Sequence, residues 1–157
     1  MKRRNFLIGV GAFAALGAPL AFSAPQSRAM VVHFDPLCGC CSDWITHMRE
    51  AGFAVESQPT QSLDAVKERL GVPLDLSSCH TAEIDGYVIE GHVPSGAVER
   101  LLRERPSAIG LSVPGMPIGS PGMDVAGVEG ADYDVILFGP EGGISFERYR
   151  GPERIDS

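Results

Sequence analysis

Apolar positions along the chain fall into two alternating rhythms. Met30-Val31-Val32-His33-Phe34 is a compact apolar run of strand length, broken by Asp35-Pro36. From Ser42 to Ala51 the spacing turns helical, with Ile45 and Met48 on one face, and Gly52 stops it. Phe53-Ala54-Val55 opens a second strand. Ser62 is placed to cap a second helix carrying Leu63, Val66 and Leu70, which Gly71 and Pro73 end. Cys79 to Ile84 and Tyr87 to Glu90 read as two strands joined at Asp85-Gly86, a strong hairpin signal. Pro94 opens a third helix with Val98, Leu101 and Leu102 on one face. Residues 106–130 are rich in Gly and Pro and read as one long loop. Val135 to Phe138 and Ile144 to Tyr149 form a last hairpin around residues 139–143.

The order strand, helix, strand, helix, hairpin, helix predicts an α/β fold. It resembles a thioredoxin-like core, a central mixed sheet flanked by helices, with an added Gly/Pro/Met loop and a C-terminal hairpin. No repeat and no second domain is visible, so residues 30–150 are read as one domain. Such a topology places a site between the first strand and the first helix but specifies no chemistry.

The segment before this domain reads as an address. Met1 to Arg4 is basic, Phe6 to Phe22 is almost wholly apolar, and Ala21 and Ser23 offer a cleavage site before Ala24. Arg3-Arg4-Asn5-Phe6-Leu7 resembles a twin-arginine export signal, a route that carries folded proteins. Residues 1–24 are therefore expected to be removed, leaving no stable membrane span and a periplasmic protein in a compartment where disulfides persist. Residues 24–29 read as a short leader.

Charge narrows the partners. The 157-residue chain has 13 basic and 20 acidic side chains, a net charge of −7. Loss of residues 1–24 leaves ten basic against twenty acidic side chains, a net charge of −10. Such a balance repels phosphate and excludes nucleic acid. The 44% hydrophobic content excludes a disordered chain.

The four cysteines are too few for a disulfide scaffold, and three of them, Cys38, Cys40 and Cys41, fall within four positions. Cys38 and Cys41 make a C-x-x-C pair at the mouth of a helix, where unpaired N–H groups stabilise a thiolate for redox work. Cys38 and Cys40 make a C-x-C pair. Three thiolates in one turn repel each other unless a soft cation neutralises them, and Gly39 lets the backbone wrap closely. Cu(I) suits that donor set. Zinc ranks behind it and would need Cys79 or His80 to complete four ligands. A structural disulfide with a spare thiol, or three inert buried cysteines, are the plainer alternatives.

Cys79 stands in Leu76-Ser77-Ser78-Cys79-His80, the turn that in thioredoxin-like folds faces the cysteine motif and usually carries a proline. A cysteine there invites metal; the alternative is a small buried strand residue. Strand alternation sends the neighbouring His80 to the opposite face. His33 reads as a satisfied strand histidine. His47 lies on a helical stripe with Trp44 and either backs the site or is surface. His92, in Gly91-His92-Val93-Pro94, is a candidate ligand or support residue. Pro114-Gly115-Met116-Pro117 is echoed by Pro121-Gly122-Met123. Thioether sulfur is a soft Cu(I) ligand, and a loop that merely packs over the site is the competing explanation.

Cys-Gly-Cys-Cys with a Trp-containing helix, Ser-Cys-His-Thr-Ala, Glu-Gly-His-Val-Pro and Val-Pro-Gly-Met-Pro-Ile-Gly-Ser-Pro-Gly-Met together resemble the CopG-like family, domain-of-unknown-function family 411. The resemblance spans about residues 30–150. It implies a thioredoxin-like fold and copper handling in the bacterial envelope. It also points to Cys38, Cys40, Cys41 and Cys79 as the sulfur site, with His92, Met116 and Met123 in the family's other motifs. The expected function is a periplasmic Cu(I)-binding protein for copper sequestration, transfer or resistance, with either one ion or a polynuclear copper–thiolate cluster. Its partners would be copper ions and other periplasmic copper-handling proteins. The alternative is an enzyme, a thiol–disulfide or copper oxidoreductase, with Cys38 and Cys41 as catalytic residues. A structural zinc module is a third reading, but it leaves the Met loop without a part.

Overall fold

A computed structural model describes residues 28–155. The expected export signal, residues 1–24, lies outside these residues. Strands β1 (Ala29–Phe34), β2 (Ala54–Pro59), β3 (His80–Ile84), β4 (Tyr87–Gly91), β5 (Gly110–Val113), β6 (Asp132–Gly139), β7 (Gly142–Arg150) and β8 (Glu153–Ile155) form one mixed sheet. Its order is β2-β1-β3-β4-β5-β6-β7-β8. Helices α1 (Gly39–Glu50), α2 (Leu63–Leu70) and α3 (Ser95–Glu104) connect them.

The first half is the predicted thioredoxin-like core. β1 pairs in parallel with β2 and antiparallel with β3, and β3 pairs antiparallel with β4. The parallel β1–β2 pair needs a crossover, which α1 supplies. α1 buries Cys41, Trp44, Ile45 and Met48, an i, i+3, i+4, i+7 stripe. Gly52, at φ +87°, takes the chain out of that helix. α3 buries Ala97, Val98, Leu101 and Leu102. Both stripes share one apolar core with Met30, Val32, Ile84, Ile89 and Leu111 of the sheet. No helix among the described residues is long and apolar enough to cross a membrane.

Four local expectations change. The first helix begins at Gly39 rather than Ser42, so Cys40 and Cys41 lie in its first turn and Cys38 is its N-cap. Ser62 is the N-cap of α2 but makes no side-chain cap bond; its own N–H goes to Thr60 Oγ1 at 3.1 Å. The loop read over residues 106–130 contains β5, a fully buried strand in the middle of the sheet. Four residues between Gly and Pro segments give too little pattern to be seen. Gly110 is required there because a Cβ would sit 1.8 Å from Val88 O. The last hairpin is tighter than five residues: β6 and β7 pair up to Gly139↔Gly142, and β8 adds a further edge. The Asp85-Gly86 turn is as expected, both residues having positive φ (+48° and +86°).

Candidate metal centre

The site lies where the C-terminal end of β1 feeds α1. Asp35 shapes the approach, accepting the N–H of Leu37 at Oδ1 (2.8 Å) and that of Cys38 at its carbonyl (2.9 Å). This places Cys38 at the helix N-cap. Cys38 and Cys41 are joined as a disulfide with Cα atoms 5.5 Å apart, and Cys40 and Cys79 are free. Cys40 Sγ lies 3.4 Å from Cys38 Sγ and 3.9 Å from Cys79 Sγ. Cys41 Sγ lies 3.5 Å from the carbonyl of Cys79. All four sulfurs fall within 4.8 Å of one another. The four sulfurs are this close with the Cys38–Cys41 bond formed, and a two-electron reduction of that bond would free all four as thiols.

Cys79 precedes β3, in the turn after a short 3-10 helix at Leu74–Leu76. That turn is anchored from beneath. Buried Glu90 accepts the N–H of Ser78 (2.6 Å) and the hydroxyl of Thr81 (2.7 Å). Lys67 of α2 donates to Thr81 Oγ1 (2.8 Å) and pairs with the same carboxylate. Lys67 shares the Leu63–Leu70 face of α2 at i+4 and i+3, which puts its ammonium under the sheet. Burial pushes the Glu90 carboxyl up, against the opposing pull of Lys67, Thr81 and the Ser78 N–H. Ser78 Oγ in turn donates to the carbonyl of Gly115 (2.5 Å). Ser78 therefore ties the cysteine turn to the methionine loop.

His92 is buried, and its ring has a fixed sense. Nδ1–H donates to the carbonyl of Pro121 (2.8 Å), which leaves the Nε2 lone pair 3.0 Å from Cys79 Sγ. A histidine held through one nitrogen by a carbonyl, with the other facing a thiol, is prepared for a metal. Burial keeps the His92 pKa below its ordinary value, so the ring is neutral and able to ligate. Burial also pushes the Cys79 thiol up to about 12, helped by the neighbouring Cys40. Cys79 is therefore a thiol near neutral pH, and a metal bound there would have to displace its proton.

Met116 is half exposed, at 51%, and its Sδ lies 3.9 Å from Cys40 Sγ. Met123 joins through its backbone: its carbonyl accepts the N–H of Gly119, and its N–H reaches the carbonyl of Ser120. The loop between them packs tightly on α1. A Cβ on Gly122, at φ +85°, would stand 2.8 Å from both Cys40 O and Trp44 N. The structure thus brings Cys38, Cys40, Cys41, Cys79, His92 and Met116 together, while Met123 contributes backbone hydrogen bonds to the loop.

His80 departs from the expectation. Its Nδ1 is 3.3 Å from Cys79 Sγ, and its ring, fully buried, lies 4.4 Å from Trp44 and 5.2 Å from His92 between centroids. Alternation fails because β3 begins at His80, so the bend at Cys79 does not obey a strand's two-residue rhythm. Burial, with the charges of His92 and Lys67, holds the His80 pKa well below its ordinary value, against a weaker upward pull from the backbone of Gly91. Its Nε2 is the one buried side-chain nitrogen or oxygen without a hydrogen-bond partner among the described residues. Such a group costs about 1–3 kcal/mol. The Cys-His adjacency was the available signal; the irregular turn was not.

The other histidines are structural. His33 Nε2 pairs with Glu83 Oε1 at 3.0 Å, as expected of a strand histidine. His47 Nε2 accepts the N–H of Ser95 (3.2 Å), satisfying the first turn of α3, so it does not face the sulfurs. Trp44 spans the same gap, donating to the carbonyl of Val93 (2.9 Å).

With this geometry in view, comparison with known proteins is informative. Residues 76–123, the span from the Cys79 turn to Met123, match the family described as "Protein of unknown function, DUF411". A solved structure described as "Copper resistance protein copG- Form 1" superposes with a TM-score of 0.74 at 43% identity. The match covers 81% of this chain and 100% of that one. A second, "Copper resistance protein copG- Form 2", gives 0.73 at 44% identity, over 77% and 97%. No curated protein matches significantly. The chain belongs to the CopG-like DUF411 family, and its fold is thioredoxin-like.

Proposed function

We propose that this chain is a periplasmic Cu(I)-binding protein that sequesters copper or passes it on. The observation that carries the reading is the convergence of four cysteine sulfurs within 4.8 Å, with the His92 lone pair aimed at Cys79. Thiolate, thioether and imidazole donors together select a soft monovalent ion. Bridging sulfurs spread thiolate charge over several ions, which favours a polynuclear copper–thiolate cluster once Cys38 and Cys41 are reduced. The likeness to proteins described as copper resistance proteins supports the assignment. The basic, then apolar, start of the chain supports export. Anaerobic titration of the reduced protein with Cu(I) tests the reading, which fails if no ion is taken up.

The Cys38–Cys41 disulfide at the mouth of α1 favours a second reading, a copper or thiol–disulfide oxidoreductase. The two thiols would give two electrons to two Cu(II), leaving two Cu(I), the disulfide and two protons. Turnover with Cu(II) or a disulfide substrate, abolished by Cys38→Ser or Cys41→Ser, distinguishes it from simple storage.

A further inference from the structure

Cys79 belongs to two donor groups. One is the sulfur group already described. The other comprises Cys79 Sγ and the ring nitrogens of His80 and His92, again all within 4.8 Å of one another. The second group needs neither sulfur of the Cys38–Cys41 disulfide.

We propose that Cys79, His80 and His92 form an inner subsite for one soft monovalent d10 ion, usable whether Cys38 and Cys41 are oxidised or reduced. Cys79 is then shared between this subsite and the outer sulfur group. The proposal rests on the Cu(I)-binding reading and assigns His80 a role in it.

Proton counting supports it. His92 Nδ1–H is committed to the Pro121 carbonyl, so its Nε2 faces Cys79 as an acceptor. His80 Nδ1 faces the same sulfur at 3.3 Å. A thiol has one proton and can serve only one of these nitrogens. If that proton goes to His92 and His80 carries its own on Nε2, the His80 Nδ1 lone pair is left facing a sulfur that has no second proton to give. An apolar ring would fill the space against Trp44 without that conflict.

A cation that displaces the thiol proton takes the thiolate and both lone pairs at once. The bond change is simple: the S–H proton leaves to solvent and a sulfur–metal bond replaces it. Metal–sulfur and metal–nitrogen distances near 2.3 and 2.0 Å imply S···N separations of about 3.6 Å. The separations of 3.0 and 3.3 Å must open by about 0.6 and 0.3 Å to reach that, within the reach of small ring shifts. One sulfur and two imidazoles suit a three-coordinate Cu(I). The subsite is also the interior end of the cluster, with both imidazoles buried and Met116 at the exposed end.

The test uses Ag(I), a d10 ion that cannot reduce the disulfide. Full-length Cys40→Ser protein, purified without reductant and with the Cys38–Cys41 bond verified by mass, is titrated while the imidazole 15N resonances are followed. The inference predicts one equivalent of Ag(I) and shifts of both His80 and His92 ring nitrogens. His80→Phe should weaken that binding by about tenfold or more. The inference is overturned if the His80 ring is unmoved at saturation, or if no ion binds. The parent spectrum decides even if His80→Phe does not fold. If reduced wild-type protein binds Cu(I) while the His80 ring stays unmoved, the inference fails and the proposed function stands. If reduced wild-type protein takes up no Cu(I), the proposed function itself fails.

Discussion

His92 Nε2 and Cys79 Sγ lie 3.0 Å apart across 13 residues of sequence, with the imidazole locked from behind by the Pro121 carbonyl. This pair joins the hairpin to the methionine loop and places an imidazole lone pair beside the sulfur group. His92→Leu keeps a buried side chain of similar size but takes the donor from the Pro121 carbonyl, so the fold is checked beside the binding. It should weaken Cu(I) binding at least as much as the about 10–100-fold typical of losing an outer partner. Competition with a chelating probe, with circular dichroism as the control, measures both.

The raised Cys79 thiol predicts unequal cysteines. In unreduced protein near neutral pH, Cys79 should alkylate on the order of a thousandfold more slowly than an unhindered cysteine, because little thiolate is present. Its rate should climb about tenfold per pH unit from 7 to 10, since the pKa of about 12 lies above that range. Mass-resolved labelling of wild-type and Cys79→Ser protein checks this. Fast labelling of Cys79 at neutral pH would contradict the burial seen.

Lys67 and Glu90 make the deepest ion pair described, with side chains 8% and 0% exposed. Glu90→Leu strands a buried ammonium and removes the acceptor that holds the Ser78 N–H. A loss of about 3–5 kcal/mol is expected by urea unfolding. The double change Lys67→Met with Glu90→Leu should recover much of it, because it removes both charges. Failure of the double variant to recover would show that the Ser78 anchor, rather than the charge, dominates.

Gly122→Ala tests the loop. The added methyl meets backbone atoms of α1 at 2.8 Å and sits on a positive φ. It should lower stability by about 1–3 kcal/mol and push the Pro121 carbonyl off His92. Cu(I) affinity should fall with it, although no ligand has changed. Unaltered affinity would mean that the loop is only a cover.

Much of this was legible in the residues. The C-x-C-C cluster marked the place of the site, because three cysteines at one helix mouth lie within reach of one another. The stripe through Ile45 and Met48 and the Asp85-Gly86 turn fixed the core that brings Cys79 to them. Three things were hidden for physical reasons. β5 is four residues long and buried on both faces, so it carries no alternation. Lys67 is a charge on an apolar stripe, which only its distant partner Glu90 explains. The His80 ring turns inward because an irregular bend precedes β3, and backbone bends of that kind leave no periodic trace.

The central claim is that the four cysteines converge to hold copper. Anaerobic titration of the fully reduced protein with Cu(I), with ions counted per chain and repeated on Cys79→Ser, tests it most directly. The account predicts saturable uptake of one or more ions by the wild type, with fewer ions or weaker binding in the variant. No uptake by the reduced wild type, or identical stoichiometry and affinity in Cys79→Ser, would contradict it.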